Sequence, residues 1–272
     1  MPGSIHVELN SVHETLLLPL WGRAVESKKQ RPMLVDETAV EIMQKIDYDF
    51  STIARSMSPI TQIAWIARSL HVDRTIRHIR ETHPRASIVN IGCGLDTTFH
   101  RIDNGLLQWY DVDLPEVIEL RKKLIPVRER SVCIASSFLD SAWRSQIAVE
   151  NKVLFLAAGV FYYFEEREIR DFMAELAGRF RGAEILFDIA SPLGVKIANK
   201  RVIEAGGMND RSYLKWGIAS AKQIPSWQNG ITLLEEYPMF KRMRKGLSLR
   251  NKYGTFLSDR LHVMSMVHLK FS

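Results

Sequence analysis

The chain has 272 residues, of which 46% are hydrophobic and 25% charged, with two cysteines and a formal net charge of +6. That length suits one large α/β domain with additions, and two cysteines exclude a disulfide framework or a structural zinc module. No stretch approaches a membrane span, and the first ten residues lack the basic and apolar regions of a secretion leader, so a cytoplasmic protein without a membrane partner is expected.

Residues 1–85 read as a helical extension. Apolar spacing predicts helices over 15–25, 36–46 and 60–79, with Pro32, Pro59 and Pro84 as breaks. Residues 86–190 alternate strand and helix: strands are predicted at 87–91, 107–111, 131–135, 152–158 and 183–189, and helices at 114–123, 139–149 and 165–180. Such alternation implies right-handed crossovers and a parallel sheet. Residues 191–229 carry Pro192, Gly194, Gly206, Gly207 and Pro225 and read as a lid insertion. Residues 230–272 read as C-terminal strands, with 231–234 and 261–271 forming an antiparallel hairpin. A five-strand parallel core closed by a hairpin is an α/β plan, that of a seven-stranded Rossmann-like methyltransferase sheet with an N-terminal helical extension and a helical lid. Periodicity alone shares that plan with other doubly wound folds.

The first strand meets a glycine pair, Gly92 and Gly94, and the second ends in Asp111-Val112-Asp113. A turn without side chains lets backbone approach a ligand, and a carboxylate about twenty residues on can accept both hydrogens of a ribose diol. The dinucleotide pattern would place a third glycine where Thr97 stands, and its looser form one where Asp96 stands. Without that glycine a pyrophosphate is poorly cradled, which favours S-adenosylmethionine over NAD. Cys93 and Cys133 read as small buried hydrophobes. His71, His78, His83 and His100 lack metal-ligand spacing with acidic partners, so no metal is expected. The excess positive charge includes Lys241-Arg242-Met243-Arg244-Lys245, but no aromatic stacking platform accompanies it. Attraction of an anionic small molecule accounts for it better than nucleic acid.

Asn90 to Phe99 (NIGCGLDTTF), followed by Tyr110 to Arg121 (YDVDLPEVIELR), resembles the leucine carboxyl methyltransferase family, nearest to the tetracenomycin polyketide synthesis O-methyltransferases. Trp21 to Glu26, Val35 to Ile42, Ile46 to Phe50, Ala67 to Asp73 and Ala157 to Phe164 extend the likeness. The resemblance implies that Gly92 and Gly94 lie under the cofactor, and that Asp113 holds the ribose hydroxyls, Asp111 being the alternative on spacing alone. It implies that Arg68 pairs with the cofactor carboxylate, with Arg23 as the second basic residue. Ser137 and Phe138 fall at the adenine, where Ser137 replaces an acidic residue, and Ala158 replaces a family glutamate. Tyr163 matches a family tyrosine at the pocket.

The implied function is S-adenosylmethionine-dependent O-methyl transfer to a small molecule, at a carboxylate, which is already ionised and needs no general base. Arg201, Arg211, Tyr213 and Lys215 of the lid are candidates to orient such an acceptor. Two alternatives stand beside it: an NAD-dependent oxidoreductase, and a non-catalytic cofactor-binding protein of the same fold, for which Ala158 and Ser137 speak.

Overall fold

The computed structural model describes residues 5–6, 11–149, 151–208, 212–243 and 246–272, the side chains of 5, 6 and 11–14 excepted. Five strands, β1 (Ser87–Ile91), β2 (Gln108–Asp113), β3 (Ser131–Ala135), β4 (Val153–Ala157) and β5 (Glu184–Ala190), run parallel. Two more, β6 (Ile231–Pro238) and β7 (Met264–Phe271), form an antiparallel hairpin whose β7 pairs antiparallel with β5. The order across the sheet is β3-β2-β1-β4-β5-β7-β6. Every residue of β1 and β4 is buried, as expected of central strands covered on both faces. The order reverses between β1 and β4, so the loops leaving these strands diverge and open a crevice at their C-terminal ends.

Four helices precede the sheet: α1 (Ser11–Ser27), α2 (Glu37–Lys45), α3 (Ser51–Ser56) and α4 (Pro59–Thr82). Asp36 caps α2 by accepting from the Ala39 amide, and Ser58 caps α4 by accepting from that of Thr61, with Pro59 preset in the first turn. Helices α5 (Thr98–Ile102), α6 (Pro115–Leu124) and α7 (Glu166–Arg179) follow β1, β2 and β4. After β5 comes α8 (Pro192–Ala198), which runs into a π-type turn, Asn199–Glu204.

Alternate strand residues feed two cores. Val89, Ile91 and Phe155 join Phe161 and Phe172 on one face, while Ile88, Leu154 and Leu156 join Ile76 and Trp109 on the other. Leu17, Leu20 and Ile42 of the N-terminal helices build a third cluster with Leu95 and Tyr162, which roofs the crevice edge of the sheet. Trp216, Ile218, Ala221 and Ile224, within the expected lid, are buried in the first core.

Two expectations need correction. The helix predicted at 139–149 is a short 3-10 turn, Ala142–Gln146, because Asp140 accepts from the Ala142 amide (3.0 Å) and local side-chain bonds displace helical ones. Residues 249–260, expected among strands, form a helix, α9 (Leu249–Arg260), capped by Ser248. Its buried residues are Thr255 and Asp259, and its large apolar ones face outward, so the usual amphipathic pattern is inverted.

Candidate active site

The loop after β1 is built from below. Gly92 and Gly94 have left-handed backbone (φ 57° and 46°), which other residues adopt at a steric cost. A Cβ on Gly92 would stand 2.7 Å from Val160 Cγ2, and one on Gly94 2.8 Å from Leu16 Cδ2 of α1. Arg121 donates to the carbonyls of Gly94 (2.9 Å) and Asp96 (2.7 Å), and Arg23 to that of Leu95 (2.8 Å). Three successive carbonyls are thus drawn toward buried guanidiniums beneath the loop.

Asp113, at the tip of β2, closes the other side. Its Oδ2 accepts from the Gly94 amide (2.7 Å) and its Oδ1 from the Leu114 amide (2.8 Å). Burial raises its pKa against the pull of those two amides and of Arg121. A carboxylate offers about four lone-pair sites, so each oxygen keeps one for a further donor. Asp111 has no such freedom: it is buried and accepts from Arg121 (2.8 Å), Asn90 (3.0 Å) and the Trp109 indole (2.9 Å). Of the two carboxylates, Asp113 is thus the less engaged.

A second lattice ties the N-terminal extension to the same loop. Asp36 Oδ2 accepts from Arg23 Nε (2.9 Å), Arg101 Nη1 (2.8 Å) and the Thr97 hydroxyl (2.5 Å). Arg101 reaches on to both oxygens of Asp73 (3.2 and 2.9 Å). Burial opposes ionisation of Asp36, but Arg23, Arg101, Thr97 and the Ala39 amide together hold its pKa below the ordinary value. Arg23 is thereby spent on Asp36 and the loop, rather than aimed into the crevice.

Arg68 of α4 lies across the tips of β4 and β5. Its Nε stands 3.1 Å from Asp188 Oδ2, and its Nη2 donates to the Tyr162 hydroxyl (2.8 Å). Tyr162 in turn donates to Asp188 Oδ2 (2.8 Å), whose Oδ1 accepts from the Gly159 amide (2.7 Å). The remaining nitrogen, Nη1, presses against Gly159, where a Cβ would collide with it. Burial works against the Arg68 charge, yet Asp188 raises its pKa, so the guanidinium is permanently ionised. Tyr163 stacks edge-on against Tyr162 at 5.6 Å, and burial pushes its phenol up to about 12.

The remaining candidates scatter. Phe138 is buried among Phe161, Phe164 and Phe172, at 4.6 to 5.9 Å between ring centres. Ser137 is half-buried in the turn after β3, its hydroxyl accepting from the Leu139 amide (3.3 Å). Ala158 is half-buried beside Gly159. Arg201 is exposed, Tyr213 donates to Glu204 (3.0 Å), and the exposed Lys215 reaches Tyr162 only through its backbone (2.6 Å). Arg211 lies outside the described residues. Asp188 escaped the sequence reading, although a lone aspartate inside the apolar run Ile185–Ala190 signals a buried charge that must find a cation.

Comparisons with known proteins identify the family. The family model for leucine carboxyl methyltransferase matches residues 17–177. The tetracenomycin polyketide synthesis O-methyltransferase TcmP of Streptomyces glaucescens is 30% identical over 235 residues, covering 86% of this chain and 85% of its own. An S-adenosyl-L-methionine-dependent methyltransferase of Gibberella zeae is 27% identical over 212 residues, covering 71% of each. A putative methyltransferase from Thermobifida fusca shares the fold at a TM-score of 0.61 and 11% identity, over 92% of this chain and 94% of that one. The chain belongs to the leucine carboxyl methyltransferase family and is an S-adenosyl-L-methionine-dependent O-methyltransferase.

Proposed function

We propose that the crevice between Asp113 and Arg68 holds the adenosyl cofactor and that the acceptor is a small anion methylated at a carboxylate. The observation that carries the first part is Asp113: its oxygens are fixed by the Gly94 and Leu114 amides, and each retains a lone-pair site that suits a ribose diol. Gly92 and Gly94 leave the loop without side chains where the cofactor would lie closest. Arg68, pre-oriented by Asp188 and Tyr162, suits the methionine carboxylate, because a charge held in place loses little entropy on pairing. Phe138 and its aromatic neighbours supply an apolar wall below the adenine position, and Ser137 a single hydroxyl.

When bound, the cofactor supplies a methyl group already activated by its sulfonium. The protein then needs to align a nucleophile and keep water away. Among the described residues at the tips of β4 and β5, the acid–base groups are already committed. Asp188 is engaged with Arg68, Tyr162 and the Gly159 amide, and the Tyr163 phenol stays protonated well above neutral pH. The Tyr163 phenol can donate to an anion, and neither group is free to take a proton from a phenol, which favours an acceptor already ionised.

Transfer of labelled methyl to a panel of carboxylic acids and phenols tests the reading. Carboxylates should be esterified at a rate nearly independent of pH from about 6 to 8, since they carry their charge throughout. Methylation confined to phenols, rising steeply with pH, would overturn the acceptor assignment and leave the cofactor site standing.

A further inference from the structure

Helix α9 is built inside out. Thr255 and Asp259 turn inward, Asp259 accepting from the Phe240 amide (3.0 Å), and Gly254 packs against Ile60. Leu249 is 84% exposed, Tyr253 69%, Leu257 42% and Leu261 49%, with Phe256 at 53% beside them. This i, i+4, i+8 row is the stripe a soluble helix normally hides. Between and beside these side chains stand exposed Arg250, Lys252 and Arg260, and just upstream exposed Lys241 and Arg242. Residues 241–262 hold seven Lys or Arg against one acid, Asp259, which is buried.

Helix α8 repeats the chemistry at the C-terminal end of α9. The Ser191 amide donates to the Val263 carbonyl (3.1 Å), and Gly194 packs against the same carbonyl, so the two elements adjoin. Outward on α8 and its π-type turn are Leu193, Ile197, Lys196, Lys200 and Arg201, and the one acid there is Glu204 at the end of the turn, which accepts from Tyr213.

We infer that α9, with α8 beside it, is an interfacial face that docks the protein on an anionic lipid surface. Charge complementarity selects this occupant. A second copy of the chain meeting the face symmetrically would set Arg250, Lys252 and Arg260 against one another, with no exposed acid on α9 to relieve them. A bilayer accepts projecting Leu and Tyr side chains into its interface while its head groups attract the Lys and Arg interleaved with them, whose stems lie along the apolar stripe. No helix among the described residues is long and apolar enough to cross a membrane, so the contact is peripheral. The sequence reading expected no membrane partner because it weighed spans and a leader, and a short inverted helix resembles neither.

Co-sedimentation of the full chain with phosphatidylcholine vesicles, with or without an equal part of phosphatidylglycerol, tests this without recourse to activity. Binding should appear only with the anionic vesicles and weaken as salt is raised from about 50 to about 500 mM. The paired variants Leu249→Ser with Tyr253→Ser, and Arg250→Glu with Lys252→Glu, should each reduce binding at least about tenfold while retaining wild-type affinity for S-adenosylhomocysteine. Three outcomes overturn the inference. One is no vesicle binding, or binding that neither pair changes. Another is a wild-type dimer that the Tyr253→Ser pair converts to a monomer, which would give the face to a second copy. The third is retention on immobilised polyglutamate without vesicle binding, which would give it to an acidic protein.

Discussion

Two aspartates two positions apart on β2 lie on one face of the strand, yet their fates differ because one stands inside the ladder and the other at its end. Asp111 is buried beside Asn90 on the neighbouring strand and is consumed by Arg121 and the Trp109 indole. Asp113 sits where the strand ends, and only amides hold it. Burial raises its pKa against the pull of those amides and of Arg121, and each oxygen keeps a lone-pair site for a further donor. Asp113→Ala should therefore cost about 3 kcal/mol of adenosyl-ligand affinity, roughly a hundredfold, through two lost charge-assisted hydrogen bonds. Calorimetric titration with S-adenosylhomocysteine measures it, and an affinity within about threefold of wild type would remove Asp113 from the site. The position of Asp113 was legible in sequence because strand, glycine pair and second strand come in fixed order. The partnership of Arg68 with Asp188 was not, since the two lie on elements far apart in the chain and only the sheet order brings them together.

At the level of elements, the N-terminal extension belongs to the active site through buried charge. Asp36 stands between α1 and α2, and its three side-chain donors come from α1, from the glycine-loop segment and from α5. Removing it leaves Arg23 with the Leu95 carbonyl and no paired carboxylate, and Arg101 with Asp73 as its one paired carboxylate. An uncompensated buried charge costs about 3–5 kcal/mol, so Asp36→Ala should lower the urea midpoint markedly, and Asp36→Asn, which keeps an acceptor for the Ala39 amide, should lower it less. Equal, small shifts for both would show that water enters and rescues the arginines. Helices with strong caps, such as α2 and α4, were readable from sequence, as was the terminal hairpin. Helix α9 was missed for a physical reason: its apolar stripe faces outward, so burial, which periodicity is meant to report, never imposed a pattern on it.

Across the whole molecule, acid sensitivity follows chiefly from where one imidazole is locked, with the half-buried His100, its pKa also lowered by burial, adding to it. His71 of α4 is buried in the core beneath the sheet, its Nε2 at 2.8 Å from the Met239 carbonyl just beyond β6 and its ring 4.9 Å from Tyr237. Burial lowers its pKa from 6.5 to about 4, the Met239 carbonyl pulling the other way, while Arg74 and Arg242 lower it further and Glu235 raises it. The fold thus selects the neutral ring. Stability from this group is complete above pH 6.5 and is lost as pH falls toward 4, by an amount on the order of 3 kcal/mol. Glu184 acts in a lower window. Held near 2 against its burial by His268 and Lys152, it stabilises above its ordinary 4.5 and fails only as pH drops toward 2. The two windows separate the histidines from Glu184: between pH 6.5 and 4.5 the decline in melting temperature should come from His71, with a further share from His100. His71→Gln keeps a donor for Met239 but cannot titrate, so its melting temperature should be lower than wild type at pH 8 and flatter than wild type down to pH 5, His100 leaving a residual slope. A wild-type profile equally flat over that range would mean that the ring opens to water when protonated, and that α4 and the β6 edge separate more easily than their packing implies.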